Sequence, residues 1–369
     1  MSARAVTRTA AKAARAEALT RAELEASAGS LAQGYALVPS RTLIVPDPVA
    51  WFALRPGDRI LVAPGDPVTP GLGLAERQRD PRVEDGPPLA GATAAEHPLR
   101  PGDWWPGDGH ESGGPLRRRR PRTPAGELLQ PAGARWRIAS GDHVDVLEAP
   151  AAGVVSEATP GRAIAVALAG RGLPAAFGVG TPTRGRLERI SGEAGLRGAL
   201  GVGRAGSVLV VDGRVDSESI IRARAMGVRG VVVSGLAGKD LRDLVASEGR
   251  QRASLQPLAA FAVLALEGTL RRPIPGPVAA LLAALEGSEV ALVVDPPMLV
   301  FDPPTPEPQR PPPGWVRVRA GELTGREGRW LRAAGVRRFA AGTHLEAAAI
   351  ALEDGQVAVV PLADLERFT

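Results

Sequence analysis

The residues of this chain best placed to act on a small molecule follow valine-rich runs in its second half. Asp212, Arg214 and Asp216 follow SVLVV, Ser234, Lys239 and Asp240 follow VRGVVV, Glu267 follows FAVLAL, and Asp295 ends EVALVVD. If these runs are parallel strands, the polar groups gather at their carboxyl ends, where open α/β sheets place ligands. Such a crevice would serve a small-molecule enzyme or a sensor. The plainer reading makes Asp216 and Asp240 helix caps and Glu267 a turn residue. Lys239 is one of only two lysines in the chain, with Lys12. An ammonium at the start of a helix meets the positive end of the helix dipole, so a small anion or a carboxylate is expected beside it.

Other chemistry is excluded or unsupported. There is no cysteine, which removes disulfides, thiolate metal sites, iron-sulfur ligation and thiol catalysis. His97, His110, His143 and His344 are scattered without metal-ligand spacing. The stretch GVGRAG, 201–206, fits a G-x-G-x-x-G pattern, but it precedes a strand instead of following one and opening a helix, so it does not read as a dinucleotide site. No P-loop, nucleophile-elbow or zincin pattern is present. No catalytic residue, no metal ligand and no cofactor is therefore assigned.

Those residues depend on elements that the same sequence punctuates. DSESIIRARAMG and KDLRDLVASEG read as helices stopped at Gly227 and Gly249, and PIPGPVAALLAALEG as a third with proline near its start. Continuous Val and Leu runs joined by short helices indicate a small parallel-sheet α/β domain over 205–302. With 369 residues the chain has room for more than one core. Glycine (45) and proline (35) are abundant, which suits short elements joined by many turns. The expected fold is multi-domain, α/β plus all-β.

The first 200 residues carry short β-type runs broken by Pro-Gly and Gly-Asp. LRPGDRILVAPGDPVTPGLGLAER (54–77) and LEAPAAGVVSEATPGRAIAV (147–166) resemble the two halves of a barrel-sandwich hybrid, the fold of biotinyl and lipoyl domains, with an echo at GTPTRGRLERI. The resemblance implies a β domain over 41–200, preceded by an N-terminal helix or arm over 1–40. Carriers of that family hold biotin or lipoate on a lysine, and this chain has none between Lys12 and Lys239, so no covalent biotin or lipoate is expected. Residues 78–134 read as a long insertion without usable periodicity. Its four-arginine run, Arg117 to Arg120, and the Trp104-Trp105 pair could meet a partner or a nucleic acid.

A proline-rich linker, 303–314, precedes the last module, 315–369. VRVRAGELTGREGRW, with Gly321, Gly325 and Gly328, and the hairpin around Asp354-Gly355 resemble the KOW motif of SH3-like barrels. That resemblance implies a surface for RNA or protein, formed by Arg317, Arg319, Arg326, Arg329, Trp330 and Arg332. The whole arrangement resembles uncharacterised bacterial proteins of similar length. A net charge of +5 is modest for this length, and arginine supplies nearly all of the basic charge, as a GC-rich genome would dictate. No apolar run is long enough to span a bilayer, so a cytoplasmic location is expected. Together these features favour a non-catalytic, multi-module adaptor docking on a larger protein or ribonucleoprotein. The alternative is a small-molecule enzyme or sensor using the crevice.

Overall fold

The computed structural model describes residues 34–55, 57–78, 82–88, 104–105, 126–132, 135–140, 144–190, 195–212, 215–252, 259–270, 272–304, 311–340 and 342–369. The expected N-terminal helix, the arginine run and residues 305–310 of the proline-rich stretch lie outside these residues.

In chain order the strands are β1 (Ser40–Arg41), β2 (Val49–Ala53), β3 (Arg59–Ile60), β4 (Pro67–Val68), β5 (Gly73–Gln78), β6 (Arg82–Pro88), β7 (Trp104–Trp105), β8 (Gly126–Ala132), β9 (Arg135–Ser140), β10 (Val144–Glu148), β11 (Gly153–Thr159), β12 (Ala163–Leu168), β13 (Arg171–Pro174), β14 (Phe177–Gly180), β15 (Thr183–Ile190), β16 (Ser207–Val211), β17 (Gly230–Val233), β18 (Ala262–Ala265), β19 (Glu289–Val294), β20 (Pro297–Phe301), β21 (Trp315–Val318), β22 (Glu327–Arg338), β23 (His344–Leu352), β24 (Val357–Pro361) and β25 (Leu365–Phe368). The described α-helices are α1 (Gly195–Ala199), α2 (Ser217–Ala225), α3 (Gly238–Arg252) and α4 (Gly276–Ala284). Strand outweighs helix, and the strands form several separate sheets. Among the described residues no helix is long and apolar enough to cross a membrane.

The chain divides into two compact units. One contains the chain up to Pro48, Ala169–Leu241 and Phe261–Thr369, and the other contains Val49–Leu168 and Arg242–Ala260.

The first unit holds an eight-stranded sheet in the order β13-β20-β19-β15-β16-β17-β18-β14. At its centre β15, β16, β17 and β18 run parallel. Every residue of β16, β17 and β18 is buried, which is why their sequences are unbroken apolar runs with no alternation. Helix α2 starts where the Asp216 carboxylate accepts the Ser219 N–H at 2.7 Å, and it ends at Gly227, whose φ of +84° suits glycine.

Two expectations need correction here. The run EVALVVD is not a fourth parallel strand: β19 lies antiparallel to β15, with Leu292 opposite Thr183, and forms a hairpin with β20. The sheet is therefore mixed. Residues 171–190, assigned from sequence to the barrel-sandwich-like domain over 41–200, supply β13, β14 and β15 to this same sheet. The run TRGRLERI has the in-out burial of a half-exposed strand, a pattern that fixes a strand but not its partners.

The same unit contains a six-stranded sheet in the order β1-β25-β21-β22-β23-β24. Its first strand comes from the N-terminal side of the chain, with Ser40 opposite Arg367 and Arg41 opposite Phe368 in parallel pairing. Residues 34–41 are thus part of the C-terminal module and not a separate arm. The core of this sheet is Val316, Val318, Trp330, Ile350, Leu352 and Leu365, closed by Val38. Tyr35 meets Trp330 edge to face, with ring centroids 5.9 Å apart.

The second unit contains a three-stranded sheet, β10-β5-β3, and a four-stranded sheet, β2-β12-β11-β4, both antiparallel. Arg77 braces the first of these, donating from Nε and Nη2 to the Asp58 carboxylate at 3.0 and 2.7 Å and from Nη2 to the Ala53 carbonyl at 2.8 Å. A further four-stranded sheet, β6-β9-β8-β7, lies within 82–140. From sequence most of that span reads as an insertion without usable periodicity. Its Trp104-Trp105 pair is a strand, with Trp104 opposite Glu127.

Trp330 is 1% exposed, whereas Trp51 is 39% exposed. Trp330→Ala is expected to cost about 3–5 kcal/mol of unfolding free energy, the range for emptying a buried aromatic site. Trp51→Ala should shift it by much less. Denaturant unfolding of the two variants checks the contrast.

Candidate functional site

The carboxyl ends of the parallel strands do come together. Ile190 is opposite Val211, Val211 is opposite Val233, and Val233 is opposite Ala265, so the segments that follow share one end of the sheet. Asp212 is exposed there. Asp216 caps α2, and the Asp240 carboxylate accepts the Ser217 N–H at 3.3 Å, so the first turn of α3 is tied to the first turn of α2. Ser234 is buried, and its carbonyl accepts the Glu267 N–H at 2.6 Å. Lys239 is exposed and makes no ion pair among the described residues. Arg214 lies outside the described residues. Asp295 must be removed from this group: it follows β19, which runs antiparallel to β15, and so lies at the opposite end of the sheet.

Glu267 is not a turn residue in solvent. Its side chain is wholly buried, and three guanidiniums surround it. Arg41 Nη1 donates to Oε1, while Arg272 Nε and Arg317 Nη1 stand 3.1 and 3.0 Å from Oε2. Arg41 also donates to the Leu266 carbonyl at 3.2 Å, and Arg272 to the Arg319 carbonyl at 3.2 Å.

Two further carboxylates complete the cluster. Glu366 Oε1 accepts from Arg317 Nη1 at 3.2 Å and lies 3.8 Å from Arg41 Nη1. Glu327 lies 3.8 Å from Arg317 Nε, accepts the Gly276 N–H at 2.7 Å on Oε1, and accepts the Trp315 indole N–H at 2.8 Å on Oε2. Three arginines thus face three glutamates.

Neutrality is what makes this burial tolerable. Removing an ion from water costs several kcal/mol, and only close opposite charges and hydrogen bonds recover that cost. Burial lowers the pKa of Arg272, while Glu267 and Glu366 pull it back up. Burial also raises the carboxyl of Glu327 above its ordinary value, against the hydrogen bonds from Trp315 and Gly276 and the charge of Arg317.

The cluster joins two sheets. Glu267 follows β18 and Arg272 precedes α4 in the eight-stranded sheet's segment, whereas Arg41, Arg317, Glu327 and Glu366 belong to strands of the six-stranded sheet. Glu327 caps the start of α4 from the neighbouring sheet, and Gly276 is needed for that approach, since a Cβ there would stand 2.9 Å from Glu327 Oε2. Gly325, at φ +87°, brings its turn so near Pro273 that a Cβ would come within 2.7 Å. Arg317 Nη2 donates to the Pro273 carbonyl across the same contact.

Two of the six residues of the expected partner-binding face are therefore interior, and two more are engaged in ion pairs. Arg317 and Trp330 are buried, and Trp330 belongs to the core. Arg326 pairs with Asp354 at 2.5 Å, and Arg319 Nε lies 3.8 Å from Glu366. Only Arg329 and Arg332 of that group remain exposed without an ion pair among the described residues. Sequence reasoning missed Arg41, Arg272, Glu327 and Glu366 in the cluster, and Arg337 and Arg338 on the surface. The last two could have been found from the turn signal AAGT, which marks a second hairpin. Among the described residues no group of three or more His, Asp or Glu could hold a metal ion.

Glu267→Gln would leave the buried Arg272 and Arg317 and the half-buried Arg41 facing two carboxylates, and is expected to destabilise the protein by about 3–5 kcal/mol in urea unfolding at neutral pH. Glu327 sets a pH dependence. Its folded pKa lies above the ordinary 4.5, so its contribution is fully favourable below that value and declines as pH rises through the folded pKa. The stability gap between the parent and Glu327→Gln should therefore change over that window and level off above it, as urea midpoints taken across the acid range will show.

No family model, curated protein or solved structure matches the chain.

Proposed function

We propose that the chain is a non-catalytic binding protein that engages a macromolecular partner through its C-terminal module. The observation that supports this most is the use made of the polar groups at the carboxyl ends of the parallel strands. Asp216 and Asp240 are consumed by helix starts, and Glu267 is consumed by Arg41, Arg272 and Arg317. Where an open α/β sheet would hold a ligand, this chain places part of its own C-terminal module beside β18. The titratable groups are spent on joining two sheets, and a perturbed carboxyl such as Glu327 is explained by that joint without a catalytic role. On this reading the C-terminal module is a KOW-like or SH3-like surface, and the small sheets of the second unit are a barrel-sandwich scaffold without a carrier lysine.

The competing enzyme or sensor reading retains Asp212 and Lys239, which are exposed at that end of the sheet and which no helix cap or ion pair among the described residues engages. Deleting residues 315–369 would not separate the readings, because it would strip Glu267 of Arg317. Surface substitutions do. A screen of nucleotides, sugar phosphates and amino acids should give no stabilisation near the roughly 2.7 kcal/mol expected at a hundredfold excess over Kd. Asp212→Asn with Lys239→Ala should melt like the parent in every case. A ligand that stabilises the parent and not the variant would replace the binding-protein reading with the enzyme or sensor reading.

A further inference from the structure

We infer that the distal half of the β22–β23 hairpin is a basic ribbon that enters the groove of double-stranded DNA. This deepens the binding-protein reading by naming the partner, and it rests on that reading.

The first observation is how the module sorts its charges. Residues 315–369 carry eight arginines and seven acidic residues and look nearly neutral as a whole. Four of the arginines are engaged internally. Arg317 is in the buried cluster, Arg319 lies by Glu366, Arg326 pairs with Asp354, and Arg367 lies over the Tyr35 ring and donates to the Val38 carbonyl. The other four, Arg329, Arg332, Arg337 and Arg338, are exposed and make no ion pair among the described residues. All four fall within 329–346, where Glu346 is the sole acid, so this segment has a net charge of +3 while the rest of the module is negative.

The second observation is shape. Strand β21 pairs with β22 only over 327–329, and β24 pairs with β23 only over 347–351. Beyond these the described sheet narrows to two strands, with Val336 opposite Glu346, Arg337 opposite Leu345 and Arg338 opposite His344. Residues 335–338 and 344–346 are exposed on both faces, including Val336 at 58%. The end is closed tightly, with Phe339 N–H donating to the Thr343 carbonyl at 3.0 Å and Gly342 N–H to the Phe339 carbonyl at 2.8 Å. Ala333, Ala334, Gly335, Ala340 and Gly342 keep it slim.

Charge and shape together select the occupant. Arg337 and Arg338 are consecutive in a strand, so they point to opposite faces. An acidic protein surface would meet one face and leave the other arginine in water. A groove walled by two phosphate backbones meets both. The major groove of B-form DNA, about 12 Å wide, admits a two-stranded ribbon, whereas the major groove of A-form RNA is too narrow.

The test is fluorescence anisotropy of the full chain with a labelled duplex of about 20 base pairs, two helical turns, alongside single-stranded RNA and polyglutamate. With three to four phosphates neutralised, log K should fall with log salt at a slope of about −3, so raising salt fourfold weakens binding about 60-fold. Arg332→Gln/Arg337→Gln/Arg338→Gln should bring the slope towards about −1, while the corresponding triple lysine variant should retain it. The proposal is overturned if duplex binding is absent at about 100 µM protein in low salt, the weak end of non-specific DNA affinity. It is equally overturned if the glutamine variant keeps the parent slope, or if RNA or polyglutamate binds more tightly than the duplex. Those results would leave the binding-protein reading standing, because only a stabilising small molecule removes it.

Discussion

A carboxylate taken out of water must be matched by positive charge, and Glu267 is matched by guanidiniums from three separated parts of the chain. Arg41 lies 226 residues before it, while Arg272 and Arg317 come after. None of the three arginines could be buried alone, and neither could Glu327 or Glu366. The six residues are stable only as a set, so the end of the eight-stranded sheet and one face of the six-stranded sheet are specified together. The two sheets form a single electrostatic body even though a proline-rich stretch separates them in sequence. An apolar contact would tolerate sliding, but this one would not, because a shift of register would part the buried charges from their opposite charges.

Much of the α/β architecture was legible because local chemistry decides it. Val208 to Val211 and Val231 to Val233 form fully buried strands, and an unbroken apolar run reports that directly. Asp216 caps its helix as its position ahead of SESIIRARA indicates. What failed depended on distant partners. In VRVR, alternation places Arg317 towards water, yet Val316, Arg317 and Val318 are all buried, because the outward face of β21 is covered by the segment around Pro273. Period-two reasoning assumes one wet face, and here neither face is wet. Glu267 was misread for the same reason: a lone glutamate after a strand carries no sign of an arginine 226 residues away. The antiparallel β19 was missed because a buried antiparallel strand and a buried parallel one have the same composition.

Internal pairing also explains why overall composition said little about the surface. The C-terminal module is close to neutral in sum, which argues against a polyanion partner if the charges are mixed. They are not mixed. Glu366, Glu327 and Asp354 stand beside arginines that are already engaged, and the arginines without a described ion pair lie along one hairpin where Glu346 is the sole acid. A net charge describes a patch only after the internal pairs are subtracted.

The parallel pairing of β1 with β25 ties residues 40–41 to residues 367–368. On a ribosome adding about 5–20 residues per second, the second of these segments follows the first by some tens of seconds. For most of that interval Val38 and Tyr35 have no Trp330 to cover, and Arg41 carries a charge whose carboxylate, Glu267, comes 226 residues later. The C-terminal module is therefore begun by nearly the first described residues and finished by the last. Its assembly is a matter of waiting, because the early segment has no partner strand until residues 365–368 are made.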